Sequence, residues 1–127
     1  MVDFNNFKKN LIELAGNNPS KKFLLAVSGG ADSMVLASLF EINHLKFEIA
    51  HVNYHFRGED SNLDQKLVEK FCSDNNIKFH LKDISEEEKS NMKSLQNWAR
   101  EIRYMFFFNI LEKENLDFIV TAHHLND

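Results

Sequence analysis

With 127 residues, 43% of them hydrophobic and 27% charged, the chain suits one compact α/β domain and is too short for two. A net charge of −4 argues against a broad polyanion-binding surface, although local clusters such as Arg100 with Arg103 remain available. The single cysteine, Cys72, excludes an internal disulfide and a Cys-based metal or iron–sulfur spacing. No apolar run nears the ~20 residues needed to cross a bilayer, so a cytoplasmic protein is expected.

From Asp3 to about Ala15, Phe4, Phe7, Leu11, Leu14 and Ala15 fall at helical spacing, and Gly16-Asn17-Asn18-Pro19 ends the pattern. Phe23 to Val27 reads as a buried strand, broken by Ser28-Gly29-Gly30. From Asp32 a helix begins that is apolar on nearly every side, which predicts burial. Lys46 to Val52 predicts a second strand, followed by a polar loop from Asn53 to Asp60. Ser61 with Asp64 has capping-box spacing, and Leu63, Leu67, Phe71 and Cys72 predict one inward helical face. A third strand fits Ile77 to Leu81, and the acidic Glu86 to Glu88 reads as loop or helix surface. A long helix from about Met92 to Glu112 would turn Leu95, Trp98, Ile102, Met105, Phe106 and Ile110 inward. Asp117 to Thr121 completes the set as a fourth strand.

Strands alternating with helices predict parallel βαβ units with helices on both faces of the sheet. Sites in such sheets lie at the carboxyl ends of strands, where the strand order reverses. Those ends here are Ser28-Gly29-Gly30, His51-Val52-Asn53 and Ala122-His123-His124, all polar or glycine-rich. The chain stops at Asp127, where a doubly wound domain would normally continue. Residues 1–127 are therefore expected to be the N-terminal portion of a longer domain, cut after strand four.

The strongest chemical signal is Ser28-Gly29-Gly30-Ala31-Asp32-Ser33, between a buried strand and a buried helix. Two glycines permit a sharp turn and close approach of a ligand to the backbone. The helix start directs unpaired N–H groups and its positive dipole end into the same space. Ser28 and Ser33 add hydroxyls, and Asp32 is placed to hold the Mg²⁺ that accompanies phosphates. No Gly-Lys-Ser/Thr follows, so this is not a Walker A loop, and it is not a Gly-x-Gly-x-x-Gly turn. Arg100 and Arg103 lie one helical turn apart and suit phosphate, or equally a solvated face paired with Glu101 or Glu112. Adjacent strand residues point to opposite faces, so His123 and His124 are not expected to share a metal. His51 reads either as a site residue or as a strand-end hydrogen-bonding group.

The loop resembles the Ser-Gly-Gly-x-Asp-Ser signature of the N-type (PP-loop) ATP pyrophosphatases. Three further stretches are similar to the tRNA(Ile)-lysidine synthetase family. These are His51-Val52-Asn53-Tyr54-His55-Phe56-Arg57 with Ser61 and Asp64, Ala99-Arg100-Glu101-Ile102-Arg103-Tyr104, and Thr121-Ala122-His123-His124-Leu125-Asn126-Asp127. Tyr54-His55 departs from the order usual in that family. The resemblance implies a three-layer parallel sheet of the adenine nucleotide alpha hydrolase-like type, and ATP and Mg²⁺ as cofactors. It implies ligation of lysine to the wobble cytidine of an isoleucine tRNA with a CAU anticodon, releasing AMP and pyrophosphate. By the same resemblance Asp32 and Asp127 hold Mg²⁺ and act catalytically. Ser28, Gly29, Gly30, Ala31, Asp32 and Ser33 bind the phosphates, and His51 and Asn53 lie beside the adenosine. Arg57, Arg100, Arg103 and His123 are expected to bind substrate. The oligomeric state stays open, a homodimer included. The alternatives are another tRNA-modifying enzyme of the 2-thiocytidine type, which typically carries a Cys-x-x-Cys pair, an amidotransferase synthetase, and a non-catalytic ATP-binding module. Residues 1–127 alone are expected to show little or no turnover.

Overall fold

The structure is a computed structural model that describes residues 20–90 and 95–122, with side chains described from residue 97 in the second span. The expected helix from Asp3 to Ala15, and His123 and Asp127, lie outside the described residues. The elements are β1 (Lys22–Ala26), α1 (Ala31–Ile42), β2 (Lys46–Asn53), α2 (Glu59–Asn75), β3 (Phe79–Asp83), α3 (Glu86–Ser90), α4 (Leu95–Glu114) and β4 (Phe118–Thr121). The strands form one parallel sheet in the order β3-β2-β1-β4.

Alternation along the strands sends successive side chains to opposite faces. Phe23, Leu25, Val27 and Ile49 face α1 and α2, where they pack with Leu36, Phe40, Val68 and Cys72. Leu24 and Ala50 face α4 and pack with Phe107 and Ile110. The chain moves outward from β1 through β2 to β3, then returns to the far side of β1 with β4. That reversal opens a crevice at the carboxyl ends of β1 and β4.

The expected α/β sheet with helices on both faces is what the chain forms, and several local expectations are corrected. The Ser61–Asp64 capping box does not form, because α2 starts earlier, after Gly58 at φ +58. Ser61 instead accepts a bond from the Arg57 backbone N–H at 3.1 Å. On α2 the buried residues are Val68 and Cys72, while Leu63 and Leu67 stay 58% and 47% exposed. The inward stripe is Asp64–Val68–Cys72, spaced by four, so its end nearest the site is polar. β3 starts two residues late, because Asn76 takes the left-handed conformation and Ile77 N–H caps α2 at Cys72 O, 2.8 Å away. On α4 Ile110 is buried and Phe106 packs on the core as expected, but Met105 is 66% exposed and Phe107 is buried instead. α1 buries one side only: Leu36, Ala37 and Phe40 are covered and Ile42 is 69% exposed.

Candidate functional site

The loop after β1 is built by its own hydrogen bonds. Gly29 stands at φ +93, a conformation glycine adopts without steric cost. The Ser33 hydroxyl donates to Gly30 O at 2.9 Å and accepts the Gly29 N–H at 3.1 Å. With its one proton so placed, Ser33 can only accept from the Ser28 hydroxyl, 3.2 Å away. Ser28 Oγ in turn accepts the Gly30 N–H at 3.2 Å. Gly30 is the N-cap of α1 and supplies no side-chain cap. The positive end of the α1 dipole lies beside the loop, which suits an anion there. Ala31 and Asp32 are exposed at this turn and Ser33 is buried.

One wall comes from β2 and the start of α2. A Cβ added at Gly29 would lie 2.7 Å from Asp64 Cβ, so Asp64 backs directly onto the loop. The Asp64 carboxylate pairs with the Arg57 guanidinium. His51 and Asn53 lie at the strand end as expected, but their polar atoms turn into the framework. The His51 ring is buried, and Nδ1 donates to Val27 O at 2.7 Å, which joins the exit of β1 to β2. Asn53 Nδ2 donates to Asn62 at 3.1 Å and to Gln65 at 2.8 Å, while its Oδ1 accepts the His55 N–H at 2.9 Å. This carboxamide thereby clamps the loop that carries Arg57 onto α2. His55, at φ +57, pairs with Asp83 and turns to the β3 side.

Beside the loop lies a cleft floored by the small Ala26 and Ala50, with Ser28 and Ser33 at its lip. Tyr54, Arg103 and Tyr104 form its outer wall, and Thr121 and Ala122 close it at the end of β4. Tyr54 donates to Ala99 O at 3.1 Å, and burial pushes its pKa up against the opposing influence of Arg103. Arg100 and Arg103 both lie over the Tyr104 ring, at 5.7 and 5.5 Å. Only Arg103 lines the cleft; Arg100 is exposed and borders an outer depression with Met105 and Phe108. The fold thus brings Arg103 to the cleft beside the 28–33 loop, links Arg57 to that loop through Asp64, and sets Arg100 outside. Sequence reasoning did not assign Tyr54, Tyr104 or Asp64 to the site, although all three lie inside the motifs it singled out.

Among the described residues, the group able to converge on a cation is Glu48, His80 and Glu114, away from the loop. His80 Nε2 already contacts Glu48 at 2.7 Å, and Lys78 pairs with Glu114.

The sequence profile of the PP-loop domain family matches residues 4–127. The chain is 44% identical over 111 residues to a protein of Mesoplasma florum named tRNA(Ile)-lysidine synthase, a match covering 87% of this chain and 28% of the relative. A protein of the same name from Malacoplasma penetrans is 44% identical over 109 residues, covering 84% and 36%. One from Bacteroides thetaiotaomicron is 38% identical over 111 residues, covering 86% and 26%. The chain thus spans about a quarter to a third of the length of these curated relatives. Among solved structures, an NH3-dependent NAD synthetase from Campylobacter jejuni superposes with a TM-score of 0.66 at 18% identity, covering 91% of this chain and 55% of that one. NMN synthetase from Francisella tularensis gives 0.59 at 19% identity, covering 93% and 54%. At such identities these two likenesses bear on the fold alone.

Proposed function

The chain belongs to the PP-loop domain family, and from that premise we propose that it forms the ATP-binding part of a cytoplasmic tRNA(Ile)-lysidine synthase. In this reading ATP adenylates the C2 oxygen of the wobble cytosine and pyrophosphate departs. The lysine amine then attacks C2, AMP leaves with the oxygen, and a new C–N bond remains.

Such a reaction asks the protein for placement and charge neutralisation more than for covalent work. The 28–33 loop offers Ser28, Gly29, Gly30, Ala31 and Ser33 to the phosphates through hydroxyls and first-turn amides. Arg103 supplies positive charge from the cleft wall and Arg57 is the further cation, held by Asp64, and the Ala26–Ala50 floor leaves room for the flat adenosine. His51 and Asn53 act beside the nucleoside by holding the strand ends and the Arg57 loop in place. Arg100, exposed on the outer side of Tyr104, is suited to tRNA phosphate. Asp32 fits an Mg²⁺ role, since this ion is commonly held by one or two carboxylates plus phosphate oxygens. In this reading Asp127 is the second carboxylate, and His123 contacts substrate after β4. The metal, when bound, offsets phosphate charge.

The observation that carries this proposal is the glycine loop at the carboxyl end of β1, opening onto a cleft that Arg103 lines at the reversal of strand order. The test uses the product of the complete reading frame with MgATP, lysine and isoleucine tRNA bearing a CAU anticodon. AMP and pyrophosphate release that requires both lysine and tRNA, with lysine ending on the tRNA, is the expected result. AMP release indifferent to lysine would instead point to the thiolation relatives, and ATP binding without AMP to a non-catalytic module.

A further inference from the structure

We propose that Asp64 is a positioning residue, which seats the phosphate loop through Gly29 and aims the Arg57 guanidinium at the phosphates bound there. The inference rests on the reading of residues 28–33 as a phosphate site. Asp64 meets the loop with its Cβ and backbone and Arg57 with its carboxylate. Its own Cβ and backbone lie against Gly29: a Cβ at residue 29 would be 2.7 Å from Asp64 Cβ and 3.1 Å from both its Cα and its carbonyl oxygen. Its Oδ2 holds Arg57 Nη2. Arg57 is also fixed from behind, where its backbone N–H donates to Ser61 Oγ at 3.1 Å, one turn earlier on the same helix. Asn53 adds a further tie by binding Asn62 and Gln65, on either side of this turn, together with the His55 N–H.

The physical consequence concerns entropy and direction more than charge. An arginine carries about 2 kcal/mol of rotamer freedom, which a flexible side chain must surrender when it meets an anion. The Arg57 side chain is 63% exposed, and the Asp64 pair together with its backbone bond to Ser61 holds it in place. Asp64 stands one turn before the buried Val68 on α2 and is less exposed than Arg57, 26% against 63%. The guanidinium is thereby held within one side-chain length of the Gly29 backbone. Its remaining donors are available to a phosphate oxygen, because five N–H groups exceed what one carboxylate takes. Asp64 also places a negative charge near the anion, which opposes binding. That opposition is weakened by the exposure of the pair to water, whereas the gain from orientation is not.

The experiment titrates MgATP calorimetrically into the product of the complete reading frame, with thermal midpoints recorded for every variant. Arg57→Ala is expected to weaken binding about tenfold and Asp64→Asn, which keeps the shape behind Gly29, three- to tenfold. The double variant should bind no more weakly than Arg57→Ala, because both changes remove one effect. Asp64→Glu keeps the charge but changes its reach, and should behave like Asp64→Asn. Ser61→Ala frees the Arg57 backbone without touching Gly29 and gives an intermediate loss; it serves as the test should Asp64→Asn fail to fold. Unchanged or tighter binding by Asp64→Asn, or losses that multiply in the double variant, would overturn the proposal while leaving the phosphate site standing. Absence of MgATP binding by the wild-type protein would instead overturn the phosphate-loop reading, and this proposal with it.

Discussion

Residues 29 and 30 are both glycine, yet they answer to different constraints. At residue 29 the backbone stands at φ +93 and Asp64 lies where a side chain would go. At residue 30 the backbone is extended, at φ −72 and ψ 166, and an added Cβ would meet only the rotatable Ser28 Oγ at 3.4 Å. Gly29→Ala should therefore cost about 1–2 kcal/mol for the left-handed backbone alone. Displacement of the loop from α2 adds to that and should remove measurable MgATP binding. Gly30→Ala should unfold within a degree or two of wild type; parallel thermal melts of the two variants would check the contrast. The glycine pair was legible in the sequence, because its residues are consecutive and flanked by a strand and a helix. Asp64 was not legible as its neighbour, since 35 residues separate them and Ser61 offered a nearer partner that the fold does not use.

At the scale of elements, α4 presents the sharpest divergence. Its run of Ile102, Tyr104, Met105, Phe106, Phe107, Phe108, Ile110 and Leu111 is apolar around most of the circumference. Helical periodicity then has no unique solution, and only contact with the sheet selects a face. Phe107 wins, 2% exposed, with its ring edge-on to Tyr104 at 6.2 Å and Ile110 beside it. Truncation to alanine should cost about 3–5 kcal/mol at Phe107 and less than ~0.5 kcal/mol at the exposed Met105. Equal losses in denaturant titration would contradict this facing. A real capping box appears on α3 instead of α2. Ser85 Oγ accepts the Glu88 N–H at 3.1 Å, and Glu88 Oε1 accepts the Ser85 N–H at 3.3 Å. That backbone bond, helped by Lys82, holds the Glu88 carboxyl below the usual carboxylate range.

Across the whole molecule, the buried thiol reports on cohesion of the α1–α2 side. Cys72 is 2% exposed, and burial, with Glu69 adding repulsion, pushes its pKa up to about 12 from 9.0. The folded state thus retains the thiol proton where the unfolded chain would lose it. This contribution is intact below about pH 9 and declines progressively from there toward pH 12, so stability should fall across that window. Replacing Cys72 by serine or alanine should remove that part of the alkaline slope. A thiol reagent at neutral pH should label native protein only as fast as α2 opens, and rapidly in denaturant. Fast native labelling would mean that α2 does not stay packed on the sheet.

The amino-acid sequence by itself determined the order of strands and helices, the parallel α/β class and the loop from Ser28 to Ser33. Each of these depends on residues within one or two turns of each other, where steric preference and hydrophobic period act directly. Only the tertiary structure decided that Arg103 lines the cleft and Arg100 does not, that His51 and Asn53 spend their polar groups on the framework, and that Asp64 backs Gly29. Those outcomes depend on which helix face meets which strand. That choice is made by packing between segments far apart in the chain, where a rotation of one residue position exchanges the inner and outer side chains.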